Sequence, residues 1–169
     1  KQHPILGLMS YDLAHGTNFS PEVKSNFKKV MVERNYIAPE TKTTMYFLKV
    51  REDEVIPASY AWADGWNGHA QHVWDKQFIE EIYPHQLERY IPSMLEGVPG
   101  EDMGYTASFD FGWFALLASE VGDSETVQIM TDYADAHFKP TWMDGGLLYP
   151  NTADYLWNFS RDEKGFIQN

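Results

Sequence analysis

Four short segments gather residue types that can move protons. The first is Tyr11-Asp12-Leu13-Ala14-His15. A carboxylate and an imidazole three residues apart share one face of a helix and suit acid–base work, with Tyr11 as a substrate contact. A capping Asp near a helix end accounts for the same residues. The second is Trp62-Ala63-Asp64-Gly65-Trp66-Asn67-Gly68-His69. An Asp desolvated between two indoles is pushed toward its neutral form, which suits a general acid. Trp62 and Trp66 are then substrate contacts, and His69 is a candidate acid or base. His69 and His72 are also three apart, but a His pair without a matched third ligand indicates no metal centre.

The third segment runs from Tyr105 to Trp113 around Asp110. A carboxylate inside an apolar helix is costly unless it is paired or used, so Asp110 is either structural or catalytic, with Tyr105 and Trp113 as pocket residues. In the fourth, Asp144-Gly145-Gly146 is ordinary turn chemistry, and Trp142 and Tyr149 at its ends are placed to wall a pocket.

The elements that position these residues are mostly helices. Residues 3–16 read as a short buried helix or loop ending at Gly16. Ser20 is an N-cap for a second helix, with Pro21 at its first position and Glu22 in its first turn. Val23, Phe27, Val30 and Met31 form its apolar face through about Tyr36. Residues 44–50 have strand character and return through a charged turn to Val55-Ile56. A helix over roughly 70–96 must break or kink at Pro84 and Pro92. Thr106 to Glu120 is a buried helix closed by Gly122. Asp123 or Ser124 caps the next, which keeps the helical period through Val127, Met130, Ala134 and Phe138 and stops at Pro140. The short link between these two makes them antiparallel neighbours. In the polar tail 151–169, Tyr155, Trp157, Phe159 and Phe166 are candidate anchors. Helix, tight turn, helix and glycine-rich loop recur, as in a stack of helical hairpins. The fold class is mainly α with a few short β-hairpins, in a single domain over 1–169.

Composition narrows the function. The 169 residues suffice for one sizeable core, and 43% hydrophobic with 22% charged is an ordinary globular balance. The net charge of −12 disfavours nucleic acid and anionic membrane surfaces. No apolar stretch is long enough for a membrane span. With no cysteine there is no disulfide, thiolate metal site or thiol nucleophile in this sequence. Phosphate loops, dinucleotide fingerprints and H-E-x-x-H are also absent, so no cofactor is expected. Aromatics are abundant, with six Trp, ten Tyr and ten Phe; an aromatic core accounts for them, and any excess suits a pocket for a small apolar substrate. The sequence begins at Lys1 without Met, as a mature chain, a trimmed one or a fragment would. The sequons at Asn18 and Asn158 are weak pointers to secretion.

Several segments together resemble the linalool dehydratase/isomerase-like proteins. They are Tyr11-Asp12 with His15-Gly16-Thr17, Ala61-Trp62 through Trp66-Asn67, Tyr83-Pro84-His85-Gln86, Ala118 through Asp123, Tyr133-Ala134-Asp135, Pro140-Thr141-Trp142, Asp144-Gly145-Gly146 and Tyr149-Pro150. The resemblance implies an (α/α)6 barrel of helical hairpins around an aromatic-lined cavity. It implies cofactor-free acid–base chemistry on terpenoids or similar apolar molecules, and assembly in which a neighbouring chain completes the site. There are two departures. The family's namesake type has cysteines near its active site, so a thiol-dependent mechanism does not carry over. A toroid of six hairpins also needs far more chain than this, so the sequence resembles its C-terminal half, with a second chain or homo-oligomer completing the barrel.

Three functions follow as expectations. One is a dehydratase- or cyclase-like lyase/isomerase of secondary metabolism, in which Asp64 or Asp110 protonates a leaving hydroxyl or alkene. Asp12 or His69 then takes the proton, and Trp62, Trp66, Trp113 and Tyr149 stabilise positive charge. Another is a carbohydrate-active enzyme on the same toroid, since paired carboxylates and Trp platforms also suit sugars. The third is a non-catalytic subunit of a two-chain assembly.

Overall fold

A computed structural model describes residues 2–57, 61–97, 107–138 and 140–148. Within them lie six helices, α1 (His3–His15), α2 (Ser20–Glu33), α3 (Ala61–His72), α4 (Lys76–Leu95), α5 (Ala107–Val121) and α6 (Ser124–His137). Two antiparallel hairpins accompany them: β1 (Met45–Lys49) with β2 (Glu54–Pro57), and β3 (Thr141–Met143) with β4 (Gly146–Leu148). The β3–β4 turn places Asp144 and Gly145 at φ 51° and 81°, the left-handed pair that a two-residue hairpin loop needs. None of the described helices is long and apolar enough to cross a membrane.

The centre of the fold is the packing of α3 against α5. Gly65 meets the backbone of Trp113 and Phe114, Gly68 meets Leu117, and His72 meets Glu120, so the two helices run parallel. A Cβ on Gly65 would overlap the Trp113 carbonyl and lie 2.5 Å from the Phe114 nitrogen. The approach therefore exists only because residue 65 has no side chain. Around this seam, Tyr90, Phe114, Leu117, Ile79 and Met130 are fully buried. The Phe114 ring stacks on Tyr83 and meets Tyr90 edge-on. Helix α4 closes over α3 and α6, with the Tyr83 hydroxyl donating to Asp123 at 2.9 Å. Asp123 also caps α6, accepting from the Thr126 amide and hydroxyl. A smaller cluster of Met31, Tyr36 and Met45 joins α2 to the first hairpin.

The predicted α5–α6 link, the first hairpin and the Asp144-Gly145 turn match the structure. Three expectations are corrected. Helix α1 is mostly exposed, with only Ile5 and Asp12 buried along it. Its polar residues interrupt any continuous apolar face. On α2, Phe27 and Met31 pack inward while Val23 and Val30 stay exposed. The third correction concerns where the long helical stretch divides. It breaks at residues 73–75, between α3 and α4, whereas Pro84 and Pro92 lie inside α4. Both prolines are exposed, so the carbonyls they leave unbonded can turn to water.

Candidate active site

Helix α3 carries candidate residues on two faces. Trp62, Trp66 and His69 fall at helical spacing on one stripe, while Asp64 points the other way, toward α4. Trp62, Trp66 and Asn67 wall a cleft of about 160 Å³ completed by Phe27, Met31 and Tyr36 from α2 and its C-terminal extension, by Thr44 and Met45 at the first hairpin, and by Gln2 and Gln71. Its surface is chiefly aromatic rings and thioethers, which favours a small apolar molecule.

Asp64 does not line this cleft; it has no solvent exposure and is joined to the cleft wall through Thr44. Its Oδ2 accepts from the Tyr90 hydroxyl at 2.6 Å, and its Oδ1 accepts from the Thr44 amide at 2.5 Å. The Thr44 hydroxyl is a further partner. Burial pushes the carboxyl up, and the Tyr90 and Thr44 bonds pull it only part of the way back, leaving it at about 6. Asp64 therefore titrates close to neutrality, and Thr44 connects it to the cleft wall.

Trp66 also belongs to a ring cluster. Its indole lies 4.2 Å from Trp113 and 5.4 Å from the His3 ring, and His69 stacks on Trp113 at 5.5 Å. His69 Nδ1 is 2.9 Å from the Gly65 carbonyl. A carbonyl only accepts, so Nδ1 carries the hydrogen and the neutral ring keeps its lone pair on Nε2. His69 is thus oriented as a proton acceptor.

The other sequence candidates are dispersed. Asp12 accepts from the Thr17 hydroxyl at 2.6 Å and from the Phe19 and Ser20 amides at 3.0 and 2.7 Å. Burial opposes its charge, but these donors outweigh it and hold the carboxyl well below the usual carboxylate range. It ties the turn between α1 and α2, which places Ser20 inside the helix that Ser20 was expected to cap. Tyr11 and His15 pack as a tilted ring pair, both exposed. Trp142 is 73% exposed on β3. Asp110 is on α5, where the structure describes the backbone alone at that position, and Tyr105 and Tyr149 lie outside the described residues. Among the described residues no three His, Asp or Glu side chains form a metal-binding group.

Sequence reasoning missed Thr44, Tyr90, His3, Gln2 and Gln71. Tyr90 carried a signal, since Ile79, Tyr83, Gln86, Tyr90 and Met94 mark the buried face of α4 at helical spacing. Thr44 carried none, because it bonds Asp64 partly through its backbone. No solved structure matches the chain. A family does match over residues 1–155, spanning α3, its cleft and the Asp64 junction: the chain belongs to the linalool dehydratase/isomerase family.

Proposed function

We propose that this chain forms the aromatic-walled part of a cofactor-free lyase/isomerase acting on a small terpenoid alcohol or a similar apolar secondary metabolite. The observation that carries this reading is Asp64, a sealed carboxyl titrating at about 6 and joined through Thr44 to a cleft walled by Trp62, Trp66, Phe27 and Tyr36. Near that pH a protonated fraction coexists with the ionised form, as a group that gives up and regains a proton requires. In dehydration, the proton of Asp64 passes through the Thr44 hydroxyl to the leaving oxygen. The C–O bond breaks and water departs. His69 Nε2 takes a proton from the neighbouring carbon, the alkene forms, and exchange with solvent resets both groups. The ring faces of Trp62, Trp66 and Trp113 stabilise positive charge at the reacting carbon. Asp12 is a poor acceptor in this scheme because its oxygens already take three hydrogen bonds.

The family and the parallel pairing of α3 with α5 support an (α/α)6 toroid of which this chain supplies the C-terminal half. A second chain or copy then completes the barrel, and native mass spectrometry reads that directly. For the chemistry, Asp64→Asn and Asp110→Asn are assayed one at a time for hydrocarbon release from an allylic terpene alcohol. Loss of turnover in Asp64→Asn is expected, and full turnover in both variants refutes the carboxylic-acid mechanism.

A further inference from the structure

Three side chains are linked across the wall of the aromatic cleft. Gln2 Nε2 donates to Gln71 Oε1 at 2.8 Å, and Gln71 Nε2 approaches Met31 Sδ at 3.8 Å. The sulfur fixes the sense of both amides. A thioether accepts and cannot donate, so the end of Gln71 that faces it is the NH2 group. Its carbonyl then faces Gln2, so Gln2 must present its own NH2 group to Gln71. The free end of Gln2 is therefore Oε1. Gln2 is 3% exposed, and Oε1 is buried with no partner among the described residues. All three residues line the cleft. An acceptor stripped of water and left without a donor is costly, and a ligand that supplies a donor recovers that cost.

We propose that Gln2 Oε1 is the group that recognises the hydroxyl of a ligand in this cleft, accepting its hydrogen and so selecting an alcohol over a hydrocarbon of the same skeleton. This rests on the reading of the cleft as the substrate site. The neighbouring Asn67 turns its NH2 group to the Ala63 carbonyl at 2.8 Å and is only half-buried, whereas Gln2 Oε1 is the cleft-wall acceptor that is both sealed and without a partner among the described residues. With its hydrogen on Gln2, the hydroxyl keeps its oxygen lone pairs free for the proton that makes it a leaving group. Once water is lost, the hydrocarbon no longer has this anchor. Gln2 is in this scheme a positioning and specificity residue.

The test measures ligand affinity of the full chain, in whatever assembly it purifies, by tryptophan fluorescence. The probes are an acyclic monoterpene tertiary alcohol, its methyl ether and the triene of the same skeleton. The wild-type protein should bind the alcohol about tenfold more tightly than the ether or the triene, the worth of one buried hydrogen bond. Gln2→Met removes this acceptor together with the donor to Gln71, so it is read by the ratio of the three affinities, which should fall within about twofold of one another. An advantage for the alcohol that survives in Gln2→Met overturns the proposal, as does a wild-type protein that binds ether and alcohol alike. The wild-type ligand series decides the matter even where Gln2→Met fails to fold. Triene binding without alcohol preference defeats the Gln2 assignment alone. Failure of all three ligands to bind defeats the substrate cleft and this assignment with it.

Discussion

The hydroxyl of Tyr90 on α4 donates to Asp64 on α3 at 2.6 Å in a space closed to solvent. Burial raises this acid and gives the fold its pH dependence, and the Tyr90 bond tempers the rise. Asp64 is raised from an ordinary 3.8 to about 6, so the native state holds a proton that the unfolded chain has released. Its stabilisation is complete below the unfolded value and is lost as pH rises through the native one. We expect stability from Asp64 to fall by about 3 kcal/mol between about pH 4 and pH 6. Asp64→Asn should remove that slope. Asn can still accept from the fixed Thr44 amide, while the Tyr90 hydroxyl turns to accept from its NH2 group. Urea midpoints of both proteins across this range provide the check, and equal slopes would disprove the assignment.

Tyr90→Phe should act oppositely on the same group. It removes a donor to the ionised carboxylate, so Asp64 should titrate above about 6. The acid-dependent limb of the turnover profile should move up with it. An unmoved limb would separate Asp64 from the chemistry while leaving its structural role intact.

Gly65 and Gly68 both face α5, but they should tolerate a methyl group unequally. The added Cβ at Gly65 meets backbone, which cannot yield without separating the helices, whereas at Gly68 it meets Leu117 Cδ2 at 2.7 Å. Gly65→Ala should therefore cost about 3 kcal/mol or more, and Gly68→Ala about 1 kcal/mol, as overpacking in a core does. Denaturant unfolding of the two variants reads the difference directly.

What was legible in the sequence was local. Gly122-Asp123 marks the turn between α5 and α6 because one residue supplies a left-handed φ of 82° and the next an N-cap acceptor. Asp64 reads as a carboxyl desolvated between Trp62 and Trp66; it is buried, but on the opposite face of α3 against Tyr90, and that burial raises it to about 6. The parallel α3–α5 seam was hidden, because Gly65 and Gly68 permit a close backbone approach but nothing local names their partners 48 and 49 positions on, Trp113 and Leu117. Period alone also failed at α4, where exposed prolines sit within a helix and the break falls earlier at residues 73–75. Asp12 and Asp64 are both aspartates near helical segments, yet donors surround one and burial dominates the other. Only tertiary structure separates them.

His69 should be separable from structure by the choice of replacement. With Nδ1–H held on the Gly65 carbonyl, Nε2 is the acceptor. His69→Gln can keep a donor near that carbonyl but offers no basic nitrogen. If His69 takes the proton, turnover should drop by about a hundredfold or more, with helix content and unfolding midpoint near the wild type. Retained turnover would hand the base role to another group, and a collapse in stability would mark the ring stack on Trp113 as its chief task.

Asp12 should show the reverse sign of Asp64. Its carboxyl is held below the ordinary range by the Thr17 hydroxyl and the Phe19 and Ser20 amides, so the native state releases its proton more readily than the unfolded chain. That stabilisation is present above the unfolded value and disappears as the group is protonated below about pH 4. Asp12→Asn should lose it at every pH. Asn Oδ1 can still accept from Thr17 and the Phe19 amide, but its NH2 group then faces the Ser20 amide, donor against donor. We expect a lower melting temperature for Asp12→Asn at neutral pH, and a gap from the wild type that narrows on acidification below about pH 4. Amide exchange at Ser20 should quicken in the variant. If the melting temperature fell equally at all pH values, the Asp12 contribution would be geometric rather than electrostatic. The two aspartates are distinguishable because their windows do not overlap: Asp64 acts between about pH 4 and 6, and Asp12 below it.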